Sequence, residues 1–346
     1  MVGSRPLLRR RAGERAEREV FVSALFSLIE IRGHTFRNRV VMPPMVTLLA
    51  GPDGRVTDKH IEHYSARARA GTALLIIEAT VVDEGGRMWD TGLGAWDDSQ
   101  IPGLARLVRA IADEGAVAGI QLLHAGPQGD PELPDNERVG PSEVVPPSGG
   151  PPARALTVEE IQAIEERFAG AAFRCVEAGF GMIEVHGAHN FLLDSFLTTQ
   201  TNTRTDEYGG DISGRLRMMV ETCRRMKDRI GDDALLDCRI SLFNKAAGEF
   251  GADDFKQLVT ALEGADIDVL HISTDGAFKG CFGSDKTIGR WAKETTDLPI
   301  IVAGGLGDPH DAERAVAEGH TDLAAIGSAM MEDPDWTARA RSALRA

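Results

Sequence analysis

Two histidines three residues apart, His186 and His189, stand in the stretch MIEVHGAHNFLLDSF, with Gly187 between them. The apolar run Met182–Val185 reads as a strand, and the polar segment holding Asn202, Arg204, Asp206 and Tyr208 reads as a loop. Two imidazoles where a loop opens from a strand end can donate N–H groups to an oxygen that is gaining negative charge. A lone histidine is more often a structural group bonded to backbone, but the paired spacing at a strand end favours a binding role. Gln121, in the apolar run QLL, offers an amide that both donates and accepts, as the edge of a heteroaromatic ring requires. Arg239 lies inside another strand-like run, and a buried guanidinium needs an anion. That anion is either an internal carboxylate or a ligand oxygen. The glycines in AGGLG (303–307) and in Gly327-Ser328 would let backbone N–H groups approach phosphate oxygens. Tight turns after strands produce such glycines as well.

These positions need a scaffold that brings several strand ends together. Residues 25–37 alternate and turn at Arg32-Gly33, which predicts a β-hairpin. Eight apolar runs follow, at 39–42, 73–79, 116–122, 182–185, 235–240, 269–272, 300–303 and 323–326. Amphipathic helical patterns alternate with them, at 57–70, 100–114, 157–178, 214–230, 252–264, 285–295, 309–318 and 334–344. Thr157 and Glu160 form a capping box, and Gly264 and Gly319 stand at expected helix ends. Strands apolar on both faces, each followed by a helix, predict an α/β protein of the (β/α)8 TIM-barrel class. A doubly wound open sheet competes, but its G-x-G-x-x-G after the first strand is missing. The proline- and glycine-rich stretch 124–155 follows the third strand. It reads as a long loop on the face where barrels carry their sites, or as a plain surface loop.

Composition narrows the function classes. The net charge is −15, and the first twenty residues carry six arginines against three glutamates, so the remainder is more acidic still. Such a body disfavours nucleic acid or an anionic membrane as partner. Residues 1–22 read as a disordered arginine-rich extension before a single domain over 23–346, and no apolar run is long enough to span a bilayer. The four cysteines, at 175, 223, 238 and 281, match no metal spacing; Cys175, Cys223 and Cys238 read as buried thiols, and a reducing cytoplasm is expected.

The chain resembles the old yellow enzyme family of FMN-dependent oxidoreductases. The resemblance covers about residues 25–340 and rests on NRVVMPPM (38–45), EAT (78–80), LGAWDD (93–98), QLLHAG (121–126), EAGFGMIEVHGAHNFLLDSFL (177–197) and NTRTDEYGG (202–210). It implies an FMN-binding (β/α)8 barrel in which Pro43, Pro44, Met45, Val46 and Ala79 lie against the flavin. Gln121 and Arg239 would bond its pyrimidine edge, while Gly304, Gly305, Gly327 and Ser328 would hold its phosphate. His186 and His189 would be catalytic, gripping the carbonyl oxygen of a small α,β-unsaturated or quinone-like substrate lined by Thr47 and Phe191. Hydride would pass from NAD(P)H through the flavin, in a homo-oligomer. Four positions depart from the family pattern. Asn190-Phe191 replaces a Gly-Tyr pair whose tyrosine delivers a proton, which raises a flavin-dependent isomerase or dehydrogenase as the alternative. Val46 replaces a flavin-bonding Thr or Cys, and Pro127 an arginine. Ser328 replaces a phosphate-binding arginine, with Lys279 or Arg290 as candidate substitutes.

Overall fold

The computed structural model describes residues 23–345 apart from 52, 144, 146–148 and 242–249, so the extension expected over 1–22 lies outside the described residues. The chain opens on a hairpin, β1 (Ile29–Ile31) and β2 (His34–Phe36), with Ile29 opposite Phe36. Its turn holds Arg32 at φ 44° and Gly33 at φ 82°. A two-residue hairpin needs that left-handed pair, and glycine relieves half of its steric cost.

The strands β3 (Val40–Met42), β4 (Leu74–Val81) and β5 (Val117–Leu123) come next. A small ribbon, β6 (Val139–Gly140) and β7 (Arg154–Ala155), lies within the long loop. The strands β8 (Met182–Gly187), β9 (Leu235–Ser241), β10 (Val269–Ser273), β11 (Ile300–Ala303) and β12 (Leu323–Ala325) complete the set. All but the hairpin and the ribbon form one closed parallel barrel, sealed where Ala324 of β12 pairs with Val40 of β3. The expected TIM barrel is therefore the observed fold.

The helices are α1 (Asp58–Arg69), α2 (Ile101–Ala112), α3 (Val158–Glu177), α4 (Leu192–Ser195), α5 (Ile212–Ile230), α6 (Ala252–Glu263), α7 (Ile288–Lys293), α8 (Pro309–Ala317), α9 (Ser328–Glu332) and α10 (Trp336–Ala343). The Thr157–Glu160 box caps α3 in both directions: Glu160 N–H donates to Thr157 Oγ1 at 3.2 Å, and Thr157 N–H donates to Glu160 Oε2 at 2.8 Å. Helix α7 starts later than the sequence pattern suggests, because Thr287 first bridges back to Gly280. The short helices α4 and α9 went unread, as neither spans enough residues to show a period.

Alternation along each strand sorts its side chains into two layers. Leu75, Ile77, Ile120, Leu122, Ile183 and Val185 pack outward with the helices, while Leu74, Ile76, Met182, Leu235, Val269, Ile301 and Leu323 fill the interior. Each such burial stabilises the fold by about 1.5–3 kcal/mol. Ile31 and Phe36 of the hairpin join the interior cluster, so the hairpin closes the barrel at the strands' N-terminal ends. Toward the other end the interior turns polar. Glu184, Asp237 and His271 form one buried layer, and His186, Arg239 and Ser273 form the next. Cys175, Cys223 and Cys238 are buried free thiols, and Cys281 is half-buried.

Candidate active site

His186 is the last side chain that β8 aims into the barrel mouth. Its Nδ1 accepts the Ala188 N–H at 3.3 Å, which leaves the ring proton on Nε2. Burial, then the nearby His189 and Arg239, hold its pKa well below the usual histidine value. The ring is thus a neutral donor. The ring of His189 lies 5.2 Å away, nearly perpendicular at 84°. His189 and Asn190 both have φ of 61°, a left-handed conformation costing about 1–3 kcal/mol per ordinary residue. Two bonds offset it: His189 N–H donates to Ser241 Oγ at 3.0 Å, and Asn190 N–H donates to Asp194 Oδ2 at 2.7 Å. Asparagine is among the few residues besides glycine that tolerate this backbone, which explains Asn190 at a position where the family pattern has glycine.

Arg239 lies on β9 beside His186 and is buried. Its Nη2 donates to Ser273 Oγ at 3.1 Å, and the same oxygen lies 3.1 Å from His189 Nε2. The Ser273 hydroxyl, one donor with two acceptor lone pairs, thus joins the guanidinium to the imidazole. The Arg239 Nε is buried with no hydrogen-bond partner among the described residues. A guanidinium so placed is poised for an acceptor that the protein itself does not supply.

Beside Arg239 a cleft of about 310 Å³ opens over the ends of β11 and β12. Pro43, Met45, Arg239, Gly304, Gly305, Gly327 and Ser328 all line it, joined by Ser273, Thr274 and Leu306. Gly304 cannot be replaced there: its φ is 147°, and a Cβ would fall 2.1 Å from the Thr274 carbonyl oxygen. Neither Lys279 nor Arg290 lines the cleft. Lys279 pairs with Asp275 at 2.5 Å, and Arg290 donates to the Glu318 carbonyl at 3.2 Å. Among the described residues of the lining, Arg239 is the cation, beside the Ser273, Thr274 and Ser328 hydroxyls and apolar side chains such as Met45 and Leu306.

The other expected residues sit around this cleft rather than in it. Gln121 is buried within the barrel and donates to Glu184 Oε1 at 2.6 Å. Ala79 and Phe191 join Leu123 and Ala125 in a small apolar cluster against which Met88 and Trp89 pack. The Phe191 ring meets His186 edge-on at 4.8 Å. Pro44 is buried and Val46 is 38% exposed. Thr47 turns to the scaffold: its N–H and hydroxyl both donate to Glu78, the latter at 2.7 Å. Glu78 also meets His60 Nε2 at 2.8 Å, so the loop after β3 is tied to β4 and α1. The site residues that the motifs did not single out are Ser273, Glu184, Asp237 and His271. Each is a polar side chain inside an apolar strand run, the signal that had flagged Arg239.

A glycine cleft beside a buried cation, under two neutral imidazoles at the mouth of a parallel barrel, is the setting of a flavin-dependent barrel oxidoreductase. The residues fit FMN in particular, since the partnerless Arg239 Nε suits a ring edge and the glycine turns after β11 and β12, with the Ser328 hydroxyl, suit a phosphate. Comparison with known proteins agrees. The profile of the NADH:flavin oxidoreductase / NADH oxidase family matches residues 24–346, and the chain belongs to that family. It is 35% identical to an NADH oxidase of Thermoanaerobacter brockii over 92% of this chain and 50% of that protein. It is 34% identical to an NADPH dehydrogenase of Listeria welshimeri over 90% of this chain and 93% of that protein. The old yellow enzyme homologue from Zymomonas mobilis superposes with a TM-score of 0.82 at 27% identity, covering 92% of this chain and 93% of that one. The chain thus spans half the length of the Thermoanaerobacter protein and nearly all of the other two. Family membership makes it an oxidoreductase of old yellow enzyme type, with FMN as cofactor and NAD(P)H as reductant. No helix among the described residues is long and apolar enough to cross a membrane.

Proposed function

We propose that the chain catalyses hydride transfer from NAD(P)H, by way of FMN, to an electron-poor C=C bond conjugated to a carbonyl, or to a quinone. The observation that carries this reading is the pair of perpendicular imidazoles 5.2 Å apart at the barrel mouth. Bound FMN supplies the two-electron chemistry; the side chains hold and polarise. His186 through Nε2, together with the His189 ring, would offer N–H groups to the same oxygen. Such donors act most strongly on charge that develops in the transition state, and losing one typically costs 10²–10³-fold. Arg239 and the peptide amides of the cleft would hold the pyrimidine edge and the phosphate. Thr47, with its polar atoms committed to Glu78, would present only its methyl group to a substrate, alongside Phe191. Homo-oligomeric assembly and a cytoplasmic setting complete the reading.

A second reading, a redox-neutral isomerase or a dehydrogenase, draws on Phe191. Phenylalanine delivers no proton, and the chain's two tyrosines are engaged elsewhere. Tyr64 OH accepts the Glu78 N–H at 3.0 Å, and Tyr208 OH donates to Glu221 at 2.8 Å. One experiment separates the two. With FMN-loaded protein, an enone and NADPH or NADH, alkene saturation matched one-to-one by nicotinamide oxidation supports the reductase. Conversion of the enone without nicotinamide consumption supports the isomerase. A protein that stays colourless and gains no flavin absorbance with added FMN overturns both.

A further inference from the structure

Directly beneath the ring of polar groups at the mouth lies a second polar layer that the proposed chemistry leaves unused. Glu184, Asp237 and His271 stand on the adjacent strands β8, β9 and β10, each with 0% exposure. Glu184 and Asp237 are register partners, and His271 pairs with Arg239. Each therefore sits two residues below His186, Arg239 and Ser273 respectively, on the same inward face. Glu184 is the hub. Its Oε1 accepts from Gln121 Nε2 at 2.6 Å and its Oε2 accepts from His271 Nδ1 at 2.6 Å.

Asp237 differs. No cationic or amide side chain among the described residues donates to either of its oxygens. An ionised carboxylate so placed would carry a penalty of several kcal/mol. It is therefore a neutral acid. Burial, then the charge of Glu184 and a hydrogen bond with it, push its pKa well above the usual carboxylate value. Burial also works to raise Glu184, but His271, Asp237 and Arg239 outweigh it and keep that group ionised. Burial lowers His271 and keeps it neutral. The layer therefore holds one anion and one shared acidic proton below the Arg239 cation, and the facing strands contribute apolar Val41, Ile76, Ile301 and Leu323.

We propose that Glu184 is a positioning residue for the flavin ring, with Asp237 as the acid that shares its proton. Glu184 fixes which way round the Gln121 amide stands, because only the NH₂ end can face a carboxylate. That leaves the amide oxygen and the second N–H for the pyrimidine edge. Glu184 also serves as the counter-anion of Arg239. Asp237, by staying protonated, keeps the layer at a single negative charge. This inference rests on the FMN reading given above.

The test uses full-length protein loaded with FMN and three variants, reading FMN dissociation constant, flavin midpoint potential and thermal melting. Glu184→Gln keeps the shape and removes the anion below the ring. Reduced flavin, which carries added negative charge, should then bind about ten-fold better relative to oxidised flavin, a rise of about 30 mV in a two-electron potential. Glu184→Leu removes the clamp on Gln121 and should weaken FMN about ten-fold or more. Asp237→Asn, neutral and able to donate to Glu184, should stay within about three-fold of the parent in both readouts. If Glu184→Gln folds, binds FMN and shows the parent potential, the proposal is overturned. It is equally overturned if Glu184→Leu melts cooperatively and holds FMN as tightly as the parent. A parent protein that takes up no FMN would instead refute the cofactor reading, and that outcome is distinct from either.

Discussion

Replacing Ser273 with alanine should weaken the grip on substrate more than the grip on the cofactor. The Ser273 hydroxyl bridges Arg239 Nη2 and His189 Nε2, each at 3.1 Å. On the proposed function it is the covalently anchored link between the cation that would face the cofactor and the imidazole that would face the substrate. Alanine deletes both bonds within a site where Arg239 and Ser273 are each 7% exposed. Arg239 Nε already lacks a partner, so a second guanidinium N–H would be stranded. Leaving a buried polar group unmet costs about 1–3 kcal/mol. His189 would lose the contact that holds its ring in place. If half the binding contribution of one imidazole is lost, about 1.4 kcal/mol, ligand affinity falls about ten-fold. The assay is titration of the FMN-loaded protein with a phenol, followed by the long-wavelength band that a phenolate stacked on flavin produces. KM for an enone should rise in parallel while kcat falls less. Melting of the cofactor-free protein should drop by about 4 °C. Unchanged phenol affinity together with an unchanged KM would refute the bridging role.

Further outcomes follow from the same geometry. Gly304→Ala places a Cβ 2.1 Å from the Thr274 carbonyl in a left-handed backbone, so FMN affinity should fall at least a hundred-fold, measured by flavin fluorescence on titration. Phe191→Tyr restores a hydroxyl on a ring whose centre lies 4.8 Å from that of His186, and a limiting proton donor should raise alkene saturation by about ten-fold or more, while leaving the nicotinamide half-reaction unchanged in stopped flow. Burial lowers the pKa of His124 to about 4, so the folded state favours the neutral ring. That preference adds full stability above the ordinary value of about 6.5 and is lost as pH falls from there toward 4, about 3 kcal/mol in all. Urea midpoints should decline across that window in the parent and decline less in His124→Gln.

The sequence was legible wherever periodicity was long. Every barrel strand falls within two residues of its expected ends, because runs such as LLIIEATV are apolar on both faces and admit few alternatives. The glycine clusters and Arg239 were legible as site candidates for a related reason: each is out of place in a plain strand or turn. The polar layer below the site was not read, although Glu184 in MIEVHG and His271 in VLHIS break apolar runs in the same way. A single charge in a strand has many explanations, and only the register of three strands shows that these charges meet. Thr47 illustrates the opposite limit. Its neighbours in sequence lie at the flavin cleft, yet its hydroxyl is bound to Glu78, which lies 31 positions further along the chain.

The hairpin at the strands' N-terminal ends has a consequence for traffic. With Ile31 and Phe36 wedged among Leu74, Leu235 and Val269, the tube is a cup, not a pipe. Under the proposed function, reductant and substrate would both reach the cofactor through the opposite end, the mouth of the barrel.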